Sequence, residues 1–271
     1  MEENEMEVGG MSFWEHLEAL RWTIFRMMIA VVVCFAAAFV AMPYIFDNFI
    51  LAPTGPDFFL YRFFAEAGGF VPFLPDFGDD TFSVDIININ VASQFMTHIS
   101  TSFWMALVAA FPYVIYELWK FVRPALFPDE VRNMKLAFLF GTLMFYAGCA
   151  VGYCIVFPFT FRFLVEYRVS EYVVNQISLN SYINNFLMMI FVMGIVFELP
   201  LLAWVLSKLG IINRQLLVAY RKYAVVVLLV LSAVITPSGD PFTLAVVFLP
   251  LYFLYELSVR LVKDGPSGLR A

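Results

Sequence analysis

Few side chains in this sequence are equipped for chemistry, and the most conspicuous is a carboxylate in an apolar surround. Glu198 lies inside Ser181–Gly210, SYINNFLMMIFVMGIVFELPLLAWVLSKLG, with Pro200 two residues later. Placing an ionisable group within an apolar membrane span costs a few kcal/mol, so such a group marks either a functional site or a kink with a snorkelling or protonated acid. Three chemistries are open to it: a catalytic acid, a proton or ion carrier site, or a hydrated polar contact.

The remaining inventory is thin. The sequence has no HExxH, no GxGD-type aspartate pair, no GxSxG and no phosphate-binding glycine loop. His16 has no metal partners nearby, and His98, beside Ser100 and Ser102, reads as a helix-end group. Glu117 and Glu256 fall near the inner ends of their helices, where water is within reach. Cys34, Cys149 and Cys154 all sit in apolar runs with no metal-ligand spacing and read as small buried hydrophobes. A catalytic site needs a nucleophile or base with an orienting partner, and none is visible. The expectation is a protein that is not an enzyme, with no catalytic residues, no metal and no cofactor.

The elements that must position Glu198 follow from composition. The chain has 271 residues, of which 62% are hydrophobic and 18% aromatic. Soluble domains sit nearer 45–50% apolar, so this is a polytopic membrane protein. The acidic opening MEENEMEVGG lacks the basic region of a signal peptide, and the net charge of −6 argues against a nucleic-acid partner. Six apolar runs stand out: Ile24–Phe46, Phe95–Phe121, Leu136–Phe161, Tyr182–Leu209, Tyr223–Ile235 and Phe242–Val259. The fifth is short; bounded by Pro237, it covers about 22 Å with its flanks. With the N-terminus in the cytoplasm, thirteen of the sixteen Lys and Arg fall on the inner side, leaving only Arg62, Arg162 and Arg168 outside. That asymmetry obeys the positive-inside rule and requires six crossings with both termini inside.

The expected fold is a single all-α integral membrane domain over residues 1–271 with six transmembrane helices. Residues 1–23 form a cytoplasmic segment, 47–95 a packed periplasmic cap loop and 261–271 a cytoplasmic tail, and the last two spans are short. The cap is aromatic and rich in turn formers, with a short extended piece at Ser83–Val91 and Asn90 or Ser93 capping the second helix. No internal repeat supports an inverted-repeat transporter.

Several stretches recur in a fixed order: SFWEHLEALRW (Ser12–Trp22), YELWKFVRPALFPDE (Tyr116–Glu130), FPFTFRFL (Phe157–Leu164), FELP (Phe197–Pro200), TPSGDP (Thr236–Pro241) and PLYFLYE (Pro250–Glu256). Together they resemble the TatC family, the six-span core and receptor subunit of the twin-arginine protein translocase. The most specific part is Phe121, Pro124, Ala125, Leu126 and Glu130, followed by FELP at the expected distance. The resemblance covers nearly the whole chain from Ser12 to Arg260.

The resemblance implies a receptor in the bacterial inner membrane for folded precursors whose signal peptides carry two adjacent arginines, with transport driven by the proton-motive force. Guanidinium groups suit carboxylates, since their charge is permanent and their donors form a planar fork. Glu130 and Phe121 match the family's signal-binding positions; on its own chemistry Glu130 also fits a solvated loop residue balanced by Arg123 and Arg132. The family usually reads HLxELR, whereas here Ala19 takes the acid's place and Glu18 precedes it, a rotation of about 100° on a helix. Glu18 or Glu15 is left to substitute, and Glu18 could equally pair with Arg21. Arg21 matches a family arginine and also serves as an inside anchor. Pro53 matches a cap position, Pro124 and Pro200 structural bends. In the sixth span Leu244 stands where the family often has a glutamine, leaving Thr236 and Thr243 as candidate contacts for partner helices. The implied partners are single-span TatA- and TatB-type subunits, membrane lipid and further copies of the chain. The competing expectation is a small proton- or ion-coupled transporter with Glu198 as carrier.

Overall fold

The structure, a computed structural model, describes residues 13–56, 58–61, 63, 83–122, 134–170, 172, 175–236 and 238–262. Helix α1 (Phe13–Ile45) continues through a π-helical turn, Phe46–Ile50, into a 3-10 turn at Ala52–Thr54. Pro43 lies near its outer end, where a missing N–H loosens the helical ladder ahead of the wide turn. α2 (Ser93–Val122) returns antiparallel to α1. α3 (Met134–Val151) passes through a second π turn, Gly152–Val156, into α4 (Phe157–Glu166), which carries a proline in its first turn. α5 (Leu179–Val196) and α6 (Leu199–Lys208) follow, then the short α7 (Arg214–Ala219), α8 (Arg221–Ile235) and α9 (Pro241–Leu261). Ile86–Ile87 (β1) and Ile177–Ser178 (β2) pair in parallel, so the extended piece in Ser83–Val91 does exist and joins the segment before α2 to the segment before α5.

Among the described residues, five stretches are long and apolar enough to cross a membrane: Trp14–Tyr61, Ser93–Phe121, Phe138–Glu166, Leu179–Lys208 and Pro241–Leu261. The remaining run is α8, whose 15 residues rise about 22 Å against a hydrocarbon core of about 30 Å. α9 has 21 residues and rises about 31 Å. Of the two helices expected to be short, only α8 is.

The stretch Ser181–Gly210 is two helices rather than one. Pro200 cannot donate to the carbonyl of Val196, and the chain breaks over Phe197–Glu198 before α6 resumes. α6 then ends on Gly210 at φ 73°, where the Ile211 amide donates 3.0 Å to the Leu206 carbonyl.

Two packing modes hold the helices. α3 lies hard against α5 through glycines. A Cβ at Gly148 would stand 2.6 Å from the Met193 carbonyl oxygen, and one at Gly194 would stand 2.7 Å from Cys149 Sγ. Lipid tails are as apolar as leucine, so close approach of this kind is what favours helix–helix contact over helix–lipid contact. Around it, Phe157, Phe161, Tyr182 and Phe186 form a buried aromatic cluster. α1 is different: its apolar face is largely exposed, and α2 is the helix against which it packs.

The turns that follow α1 are tied down by tyrosines. The hydroxyls of Tyr153 and Tyr61 donate to the carbonyls of Phe49 and Pro53 at 2.9 and 2.8 Å, and that of Tyr182 donates to Ile50. These carbonyls lie in and just after the turn where the helix loosens, and the tyrosines supply them with donors. Pro53 is buried, and Arg162, also buried, ion-pairs with Glu166 at 2.7 Å and lies over the Tyr61 ring. Thus Arg162, expected among the outer charges, lies buried against Tyr61.

Gly148→Ala places a methyl against the Met193 backbone, which cannot swing aside. A loss of about 1–3 kcal/mol is expected, read as a lower thermal midpoint of the detergent-purified protein, while Gly55→Ala, which meets nothing nearer than 4.0 Å, leaves it unchanged.

Candidate functional site

One face of the molecule is built from the start of α1 and the end of α2. α1 is regular from Phe13, so the angular spacing of its side chains is fixed. His16 stacks on Phe121 of α2, with ring centroids 4.4 Å apart and planes 27° from parallel. Ala19, the next turn, is half-buried, while Glu15, Glu18 and Arg21 are exposed. Glu18 is rotated by about 100° from Ala19, whereas Glu15, four residues before it, is only about 40° away and one turn nearer the helix start. The regular helix therefore makes Glu15 the acid that shares Ala19's face. Glu130 and Pro124 lie outside the described residues. The sequence points to Phe121 but not to its partner His16, a lone histidine with no metal-ligand spacing. No local spacing points to that pairing, because the partner lies on another helix.

Ten residues along α1, Arg26 forms a second link to α2. Its Nε donates to Glu117 Oε2 at 2.9 Å, and its Nη2 donates to Thr23 Oγ1 at 3.3 Å. Tyr113 donates its hydroxyl to Glu117 Oε1 at 3.1 Å. The Glu117 side chain is 3% exposed and that of Arg26 39%. The expectation that Glu117 reaches water is therefore corrected: its charge is met by an arginine 91 residues away in sequence, which no local spacing reveals. Removing one member of a buried pair typically costs about 3–5 kcal/mol; partial exposure of Arg26 moves this pair toward the lower end. Glu256 is likewise paired, with Arg221 at 2.9 Å, joining the start of α8 to the end of α9.

A third link lies toward the C-terminal end of α1. His98 Nε2 stands 2.9 Å from the Phe39 carbonyl, and the imidazole stacks on the Phe39 ring at 4.1 Å. A carbonyl only accepts, so this contact assigns the proton to Nε2. His98 is a tie between helices rather than a helix-end group.

Glu198 occupies the turn between α5 and α6 and is half-buried. Gly141 of α3 leaves the space it fills: a Cβ there would come within 3.3 Å of Glu198 Oε2. Among the described residues Oε1 has no hydrogen-bond partner, and no cation pairs with the carboxylate. Pro200 is buried in the first turn of α6.

At the α8–α9 turn, Asp240 caps α9. Its Oδ1 accepts from the amides of Phe242 and Thr243 at 3.0 and 2.9 Å, and its Oδ2 accepts from Thr243 Oγ1 at 2.6 Å and from Ser238 Oγ. Burial pushes this carboxyl up, but the hydrogen bonds from Ser238, Thr243 and the two amides outweigh it and hold the group below the usual carboxylate range. Thr236 and Thr243 are both buried within this hairpin. Among the described residues no group of His, Cys, Asp or Glu has the geometry to hold a metal ion.

Comparison with known proteins agrees with this geometry. The family model described as Sec-independent protein translocase protein (TatC) matches residues 15–250. The TatC protein of Blattabacterium sp. subsp. Periplaneta americana (strain BPLAN) is 34% identical over 254 residues, covering 93% of this chain and 95% of its own. That of Deinococcus radiodurans is 36% identical over 184 residues, covering 68% of this chain and 67% of its own. A crystal structure of the twin arginine translocase receptor TatC in DDM superposes with a TM-score of 0.74 at 27% identity, covering 92% of this chain and 99% of that one.

The Asp240 cap gives a signed prediction. Because its folded pKa is depressed, its contribution is complete above the unfolded value near pH 4 and is lost as pH falls through the folded value. Asp240→Ala should cost about 0.5–2 kcal/mol at neutral pH and Asp240→Asn much less. Thermal melts from pH 7 to pH 3 should show the parent approaching the alanine variant only at the acid end.

Proposed function

The chain belongs to the TatC family of Sec-independent protein translocase proteins, and from that membership we propose that it is the signal-reading receptor of a twin-arginine translocase. It is a multi-pass membrane protein of a transport system rather than a catalyst. The observation that carries the receptor reading is the stack of His16 on Phe121. It joins the HLEALR stretch to the start of FVRPAL, the two stretches that resemble the family's signal-binding motifs, in one face.

In this reading Glu130, Phe121 and the α1 acids form the site for the two arginines. Glu15 stands in for the acid that Ala19 replaces, with Glu18 at its flank and Arg21 as an anchor to the anionic lipid surface. α8 makes the sixth crossing, both termini are cytoplasmic in the bacterial inner membrane, and the proton-motive force drives transport. Support for the sixth crossing comes from the antiparallel α8–α9 hairpin, whose Arg221–Glu256 pair sits at the end opposite the Asp240 turn. A span of about 22 Å thins the bilayer around it, which favours the gathering of TatA- and TatB-type single-span subunits there. Thr236 and Thr243 shape the hairpin those helices meet, and several copies of the chain share one receptor complex. Glu198 contributes a hydrated polar contact to a partner helix or to the lipid boundary. The carrier-site alternative lacks the second titratable group a relay needs beside Glu198 among the described residues.

A photo-crosslinker at position 130 should capture a signal peptide bearing two arginines and lose most of that capture when both are lysines. Equal capture overturns the receptor reading. For Glu198, transport of a folded precursor should survive Glu198→Gln and fall about tenfold or more in Glu198→Ala, since the polar group and not its charge makes the contact; full transport by the alanine variant makes the contact dispensable.

A further inference from the structure

We propose that Arg26 and Glu117 are positioning residues for signal recognition, a clasp that sets the height and rotation of the N-terminal half of α1 against α2. The proposal rests on the receptor reading above, since the surface it aligns is the one assigned there to the signal peptide.

α1 packs against α2 and presents its other faces outward. In lipid, an apolar seam gives such a helix little resistance to sliding or turning, because tails replace side chains at almost no cost. A directional contact is needed to choose one register. The clasp supplies it. Both oxygens of Glu117 are engaged, by Arg26 Nε and the Tyr113 hydroxyl, while Arg26 Nη2 is held by Thr23 on its own helix. The planar guanidinium therefore has one orientation.

The geometry of the seam fits this role. Arg26 is about 15 Å along α1 from His16, and Glu117 about 6 Å along α2 from Phe121. Long side chains lean toward the N-terminus of their own helix. The helices are antiparallel, so Arg26 and Glu117 lean toward each other and take up the difference of about 9 Å. A slip of one turn, about 5.4 Å, would break the ion pair and separate His16 from Phe121 together. At the far end, the bond from His98 to the Phe39 carbonyl anchors the same seam. It lies thirteen residues beyond Arg26 on α1, too far to fix the rotation of the first turns.

The test uses the full chain in native-composition membranes with its partner subunits. Its first arm is Arg26→Met/Glu117→Met, which removes the pair without stranding a charge. Replacing an ion pair by apolar side chains of similar volume is commonly neutral for stability. The expected result is a parent-like thermal midpoint with about tenfold weaker binding of a twin-arginine signal peptide. Parent-like binding overturns the proposal. The second arm does not depend on that variant folding. In a chain with Cys34, Cys149 and Cys154 replaced by Ala, the pair His16→Cys/Phe121→Cys is bridged by a short bifunctional thiol reagent. Adding Glu117→Gln, which keeps the bond from Tyr113, should slow bridging about tenfold; an unchanged rate overturns the proposal. Failure of the receptor reading looks different: the parent would bind twin-arginine and twin-lysine peptides equally while the bridging arm still responded to Glu117→Gln.

Discussion

Inside a bilayer an apolar helix gains nothing from leaving water, because it has already left. The arrangement of this chain depends on how that constraint is met. Where α3 meets α5, it is met by bringing backbones together: Gly148, Gly152 and Gly194 admit neighbours at distances no Cβ would allow. Where α1 meets α2, it is met by three spaced ties: His16 on Phe121, Arg26 with Glu117, and His98 on the Phe39 carbonyl. The first mode makes a rigid body. The second hangs a long, exposed helix on that body at a defined height.

The same constraint bears on the turns that follow α1. A helix that loosens at Phe46–Ile50 and turns again at Ala52–Thr54 frees the carbonyls of Phe49, Ile50 and Pro53, to which Tyr153 of the second π turn, Tyr182 of α5 and Tyr61 donate. The tyrosine rings also fill the aromatic core, so one residue type packs the cap and satisfies its backbone. At the FELP turn the break is made by Pro200, and the carboxylate of Glu198 fits into the space left by Gly141. The acid and the proline thus belong to one device: a helix interruption that presents a polar group with no paired cation among the described residues.

Much of this was legible in the sequence. The apolar runs and their lengths marked the helices, the shortness of α8 followed from Pro237 and its flanks, and six motifs in order identified the family. What sequence could not supply was pairing across distance. Glu117 and Arg26 each read as charges near a helix end, and only the antiparallel seam shows that they cancel. Arg162 read as an outer charge but is buried beneath Tyr61. His16 carried no local signal, since its partner is on another helix. Ser181–Gly210 read as one helix because periodicity continues across the turn; the proline marked the place but not the size of the break. Conversely, the regular start of α1 sharpens a question that the sequence left open, turning Glu15 rather than Glu18 toward the face of Ala19.

The central claim is that the start of α1 and the end of α2 form one preassembled face before any peptide arrives. Spin labels at Glu18 and Lys120, on the full chain in nanodiscs without a signal peptide, test this most directly through pulsed dipolar distance measurement. A single narrow distribution, unchanged by adding peptide, is the predicted result. A broad or bimodal distribution that narrows only with peptide would contradict it.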